Sequence, residues 1–228
     1  MKVTPYSIIS FLLLLAWSSV SFSAPLPITL NNAIDTFNDA IDTVALAKRG
    51  CVVSKEGKIC TTVPTVAELV TNIKDFNKVP KLDSLFYSGL GAGSAISTAK
   101  AWHKANAEKA NGRAGVAFDG IVNVKWFENQ GIELAKQPNG VALTDQFQKR
   151  LSQAFAQVSN KKVYFFTAAG QDGTKFPATS TWGGWEFPAL TRNTAVTEII
   201  QVSVSGTTFT TKTIWKKGDR ATTNPPLG

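Results

Sequence analysis

A single mixed α/β domain is the fold this 228-residue chain predicts, with a helical N-terminal part and a small mixed or parallel sheet flanked by helices in the C-terminal half. Three features predict it. Segments with apolar residues at helical spacing alternate with short runs rich in Val, Ile, Tyr and Phe. The run Val163-Tyr164-Phe165-Phe166 has no polar interruption, as expected of a strand covered on both faces. Two further strand-like runs, 198–204 and 208–215, are joined by Ser205-Gly206 and read as a closing hairpin.

From the N-terminus, residues 1–23 read as a signal peptide. Lys2 supplies the positive start, residues 8–17 form an apolar stretch, and Ser21 and Ser23 suit a cleavage site. Residues 24–49 carry Ile34, Phe37, Ile41 and Val44 at helical spacing, with Asp35, Asp39 and Asp42 among them, and end on Lys48-Arg49. They are either a pro-segment removed at the dibasic site or the first helix of the fold. Cys51 and Cys60 follow; in an exported chain such a pair is expected to form a local disulfide. The domain is read as 50–220, with a disordered tail at 221–228.

Within the domain, residues 66–76 read as a helix with Val66, Leu69, Val70, Ile73 and Phe76 on one side. An apolar run at 82–87 leads into the glycine-rich stretch 89–94. Ser94 or Ser97 then caps a helix over 95–110, which Asn111-Gly112 ends. Residues 116–127 fit either helix or strand. Thr144 or Asp145 caps a helix over 145–158, with Phe147, Leu151, Phe155 and Val158 facing inward, and 162–168 form a strand.

Composition removes several chemistries. The chain has one histidine, His103, in the middle of a helical segment, and no nucleophile-elbow pattern. A partly exposed helix residue is the expected role of His103. Two cysteines and one histidine do not make a metal site, so no metal is expected. Gly89, Gly91 and Gly93 give G-x-G-x-G rather than the dinucleotide fingerprint, because Ser94 stands at the third required position. The formal net charge of +8 attracts anionic ligands, and residues 1–49 carry equal numbers of each sign, so their removal leaves it unchanged.

The most informative stretch is Ser180-Thr181-Trp182-Gly183-Gly184-Trp185-Glu186-Phe187. A carboxylate among large aromatics is costly to desolvate unless it is paired, hydrogen-bonded or used. Such a group can stabilise a positive charge that develops next to it. At ~4 Å and an effective dielectric of ~20 the attraction is about 4 kcal/mol, roughly a thousandfold in rate.

Two windows, Ser152 to Ala156 ahead of the strand Val163 to Phe166, and Ser180 to Glu186 after it, resemble the C-terminal half of the ADP-ribosyl cyclase/NAD glycohydrolase family. There a helix with S-x-x-F-A precedes a buried strand, a loop and S-T-F-G-x-x-E. Leu85-Phe86-Tyr87-Ser88 stands where that family has an apolar pair, an aromatic and a serine. The overall look, with its secretion signal, dibasic site and Tyr-Ser-Gly, is nearer to exported microbial homologues than to animal members.

The resemblance implies a secreted enzyme that cleaves the nicotinamide–ribose bond of NAD+, with NAD+ as substrate and no cofactor. It implies Glu186 and Ser152 as catalytic residues. Ser180, Thr181 and Trp182 would contact phosphate, and Tyr87, Ser88, Gly183 and Trp185 would complete the substrate site. The family's usual tryptophan and arginine are replaced by Gln148 and Gly89, and its acidic position falls near Phe118 and Asp119. The alternatives are ADP-ribose transfer to a protein and an inactive effector or binding module. No nucleic-acid partner or membrane span is expected; an inhibitor or a host target would be the macromolecular partner.

Overall fold

In the computed structural model the chain divides into two units, Met1–Lys48 and Arg49–Gly228. The structure describes residues 50–76, 79–90 and 94–221. The signal peptide, the stretch 24–49 with its dibasic site, Gly91 and Gly93, and all but the first residue of the tail lie outside the described residues.

A hairpin opens the described chain. Strands β1 (Cys51–Ser54) and β2 (Gly57–Cys60) pair antiparallel with Cys51 opposite Cys60, and the two cysteines form a disulfide. Helix α1 (Val66–Phe76) starts with a reciprocal cap. The Thr65 hydroxyl accepts from the Glu68 amide at 3.3 Å, and the Glu68 carboxylate accepts from the Thr65 amide at 2.9 Å.

β3 (Asp83–Ser88) leads to α2 (Ala95–His103), which continues as a π-helical turn, Lys104–Glu108, and a last α-turn, Lys109–Asn111. Gly112 ends it in the left-handed region at φ 68°. Neither Ser94 nor Ser97 caps α2 with its side chain: Ser94 makes no such bond, and the Ser97 hydroxyl donates to the Ser94 carbonyl. The ambiguous stretch 116–127 divides into the end of β4 (Gly115–Ala117), a 3₁₀ turn and the start of α3 (Val124–Ala135). The Asn123 side chain caps α3 by accepting from the Trp126 amide at 3.2 Å. α4 (Gly140–Val158) begins five residues before the expected start, with Asn139 as its cap at φ 64°. Thr144 is therefore inside the helix, where its hydroxyl donates back to the Gly140 carbonyl.

β5 (Lys161–Ala168), a second π-helical turn (Trp182–Glu186), α5 (Phe187–Arg192), β6 (Val196–Ser205) and β7 (Thr208–Lys216) complete the fold. The sheet order is β4-β3-β5-β6-β7. Pairing is parallel through β6, and β7 closes antiparallel as the expected hairpin. The fold is thus mixed α/β, with helices on both faces of a mixed sheet.

Side chains alternate along the buried strands and fill two cores. Phe86, Val163, Phe165 and Ile199 pack with α1, α3, α4, the second π-helical turn and α5. Leu85, Tyr164, Phe166 and Val202 pack with α2 through Ala99 and the half-buried Trp102. This two-sided burial is why the Val163 to Phe166 run carries no polar residue.

Helices α4 and α5 are fastened where they end. The Asn193 amide nitrogen lies 3.0, 3.0 and 2.8 Å from the carbonyls of Ala156, Gln157 and Ser159. At the N-terminal end of β3, Asp83 is fully buried and receives His103 Nε2 at 3.0 Å, Asn111 at 2.8 Å and Arg113 Nε at 2.7 Å. His103 is 1% exposed, which corrects the expectation of a partly exposed position. Its ring completes the shell of a buried carboxylate. Burial pushes the Asp83 carboxyl up, but the His103, Arg113 and Asn111 bonds outweigh it and hold the group below its ordinary range.

Candidate active site

Part of the expected set, Glu186, Ser152 and Tyr87, is brought together by the second π-helical turn, α4 and β3. The chain leaves β3 toward α2 on one face of the sheet. It leaves β5 toward the second π-helical turn on the other face. Adjacent parallel strands whose connections depart in opposite directions leave a crevice beyond their carboxyl ends, the usual ligand position in open α/β sheets. Tyr87 and Ser88 end β3 there, both half-buried.

The loop after β5 is tied down by its own polar groups. The Gln201 side chain accepts from the Gly173 amide at 2.8 Å and donates to the Gln171 carbonyl at 2.7 Å. The Trp182 indole N–H donates to the Gly173 carbonyl at 2.7 Å. That indole stacks on Phe165 with ring centroids 3.6 Å apart and is 1% exposed. The structure therefore places Trp182 in the core rather than at an exposed phosphate site, and its ring aligns the turn on the sheet.

Ser180 closes the start of the turn. Its hydroxyl donates to the Pro177 carbonyl at 2.7 Å and accepts from the Gly183 amide at 3.0 Å. Its hydroxyl proton is directed at backbone in this arrangement. Thr181 beside it is half-buried. The Gly-Gly pair serves close approach: a Cβ on Gly183 would meet the carbonyls of Phe176 and Pro177, and one on Gly184 the carbonyl of Ala178. The turn can lie on that loop only without side chains at these two positions.

The turn ends on Glu186, 7% exposed, and the hydroxyl of Ser152 on α4, 5% exposed, donates to its carboxyl. Burial pushes Glu186 up to about 8, and the Ser152 bond offsets part of the rise. The Tyr87 hydroxyl is pushed above its ordinary value, first by burial, then by the negative charges of Glu186 and Asp119. Trp185, half-buried, carries the Lys149 ammonium 4.5 Å over its ring. Lys149 also pairs with Asp145 at 2.6 Å.

Ser152 thus holds Glu186, Tyr87 lies within electrostatic reach of that carboxyl, and the adjacent Trp185 carries Lys149. The disulfide belongs to a different part. Its hairpin docks on α3, where the buried Gln130 side chain accepts from the Cys60 amide at 2.8 Å and donates to the Cys60 carbonyl at 2.7 Å. Trp126 adds a bond to the Lys58 carbonyl at 2.8 Å.

Two surface depressions, of about 310 and 620 Å³, lie beside Arg192 and beside Trp102, and Glu186, Ser152 and Tyr87 line neither. Among the described residues no group of His, Cys, Asp and Glu could hold a metal ion, and no helix is long and apolar enough to cross a membrane. Gln201 and Lys149 were not singled out from the sequence. A polar residue inside Ile199-Ile200-Gln201-Val202 was a usable signal for the first. Nothing in the sequence distinguished Lys149 from other helix lysines.

No family model matches the chain, and no curated protein matches it. Among solved structures it is similar to an ADP ribosyl cyclase complexed with N1-cIDPR, at 15% identity and a TM-score of 0.36. It covers 70% of this chain and 63% of that one. It is also similar to the Aplysia cyclase complexed with substrate NGD and product cGDPR, at 15% identity and a TM-score of 0.31. A glutamate-to-alanine variant of ADP-ribosyl cyclase matches at 14% identity and 0.33. The last two alignments span 56% of this chain and 51% of the solved chains. The chain spans about half to two thirds of the length of these cyclases, and at such scores the likeness carries no weight for the reaction.

Proposed function

We propose that the chain is a secreted NAD+ glycohydrolase that cleaves the nicotinamide–ribose bond to give nicotinamide and ADP-ribose. The observation that carries this reading is the Glu186 carboxyl, buried and held by the Ser152 hydroxyl within electrostatic reach of Tyr87. As nicotinamide departs, the ribose becomes oxocarbenium-like, and a carboxylate fixed in a dry site stabilises that charge. The bound nicotinamide is itself cationic. Its arrival beside Glu186 favours the ionised carboxylate, so the substrate helps remove the proton that burial retains. Ser152 holds the carboxylate in place, and Tyr87 and Trp185 flank the base. The base leaves as neutral nicotinamide with the C–N electron pair, while water adds to the ribosyl carbon and gives up one proton to solvent. The Cys51–Cys60 disulfide supports export to an oxidising compartment.

Nicotinamide release from NAD+ by the purified full chain tests the reading. Glu186→Gln is expected to lower kcat by ~10²–10³, the usual loss for a group that stabilises developing charge. Release that is unchanged in this variant would remove Glu186 from the reaction.

A second reading, a binding module on the same fold, is favoured by one observation: Glu186 is 7% exposed and lines neither surface depression. Absence of both NAD+ binding and nicotinamide release in the native chain decides for it.

A further inference from the structure

Asp145, Lys149 and Ser152 follow one another at helical spacing on α4, and contacts from the last two reach the second π-helical turn. Their exposure falls in that order: 57% for the Asp145 side chain, 23% for Lys149 and 5% for Ser152. They mark a descent from solvent to the buried Glu186. Two contacts join helix to turn, the Ser152 hydroxyl on Glu186 and the Lys149 ammonium on the Trp185 ring. Because Trp185 and Glu186 are consecutive, those contacts lie side by side. The helix rises only about 4.5 Å from Lys149 to Ser152, close to the width of one sugar ring.

Lys149 is lightly held. Its partners are Asp145, exposed and four residues earlier, and one face of an indole. An ion pair within one helix to an exposed carboxylate and a single cation–π contact are both weak holds. Its neighbour Arg150 is directed elsewhere, with Nη1 donating to the carbonyls of Val63 and Pro64 at 3.2 and 3.3 Å. Lys149 is thus a cation over the indole next to Glu186 in sequence, and its ion-pair partner is an exposed, replaceable carboxylate. A phosphate offers a stronger charge-assisted bond than Asp145 does.

We propose that Lys149 is a specificity-determining residue of the candidate site, exchanging Asp145 for the phosphate of a ribosyl phosphate whose anomeric carbon faces Glu186. The site then selects phosphorylated ribosides over the bare nucleoside. This deepens the reading of the preceding subsection and rests on it for the placement of the anomeric carbon.

The test uses the full chain, inorganic pyrophosphate as the binding probe, and two variants whose effects have opposite signs. Lys149→Gln is expected to raise the Kd for pyrophosphate about tenfold. Asp145→Asn removes the competitor and is expected to lower that Kd several-fold, and Lys149→Arg retains binding. In turnover, Lys149→Gln raises KM for NAD+ by a similar factor and changes nicotinamide riboside cleavage much less than NAD+ cleavage. If Asp145→Asn weakens pyrophosphate binding as Lys149→Gln does, the pair is only a structural clasp and the proposal falls. It falls equally if the native chain does not bind pyrophosphate, or if Lys149→Gln lowers turnover of both substrates alike. Native nicotinamide release with no effect at Lys149 overturns this inference and leaves the glycohydrolase reading standing. Pyrophosphate binding that follows the predicted signs without any nicotinamide release keeps the anion site and ends the glycohydrolase reading.

Discussion

Glu186 has a folded value of about 8 against an ordinary 4.5, with burial as the main cause. The folded chain therefore binds this proton more tightly than the unfolded chain does. The associated stability is fully present below about 4.5 and is lost as pH rises through about 8. Glu186→Gln removes that loss. At pH 9 the variant is expected to be more stable than the native chain by up to about 5 kcal/mol, with the difference shrinking toward acid pH, as denaturant unfolding at several pH values would show. Under the proposed reaction, kcat/KM is expected to climb about tenfold per unit up to pH 8 and then level, because it reports the free protein. A flat profile between pH 6 and 8 would separate the carboxyl from the rate. The sequence made Glu186 conspicuous through its neighbours. It did not reveal the Asp83–His103–Arg113 cluster, whose members are scattered over 30 positions and meet only after β3, α2 and β4 have packed.

Elements whose residues face two cores were the easiest to read. The β5 run is apolar because both its faces are covered, and α1 has a single apolar stripe. Elements set by backbone geometry were not. β4 has three residues, too few to show a period, and α4 starts from Asn139 in a left-handed conformation that no capping pattern announces. The π-helical turn 182–186 was equally hidden, since Trp182-Gly183-Gly184-Trp185 reads as a flexible link. In the fold it is tight, with the Phe176 to Ala178 backbone pressed against both glycines. Gly184→Ala is expected to cost roughly 1–3 kcal/mol through overpacking and to lower nicotinamide release by displacing Glu186. A variant with native thermal stability and native turnover would show that the loop can move aside.

The molecule separates its staple from its candidate chemistry. The disulfide hairpin rests on α3 through Gln130 and Trp126, whereas Ser152 and Glu186 sit on α4 and the turn before α5. Reducing Cys51–Cys60 is therefore expected to lower stability by about 2–3 kcal/mol for so short a loop. Nicotinamide release below the unfolding temperature should remain within about twofold of native. Parallel stability and activity measurements with and without reductant check this. The sheet order could not be read from one chain. β5, β6 and β7 were visible as strands, but the placement of β3 between β4 and β5 depends on which faces the helices cover.

Asn193 gives the arrangement a mechanical character. Ser152 and Glu186 each lie seven positions before the pin formed by Ser159 and Asn193. The two helices therefore behave like tweezers, joined at the base and touching two turns up. Under the proposed reaction, a ligand reaching Glu186 would part the tips at Trp185 while the base holds, and its access would be set by the stiffness of one pair of helices.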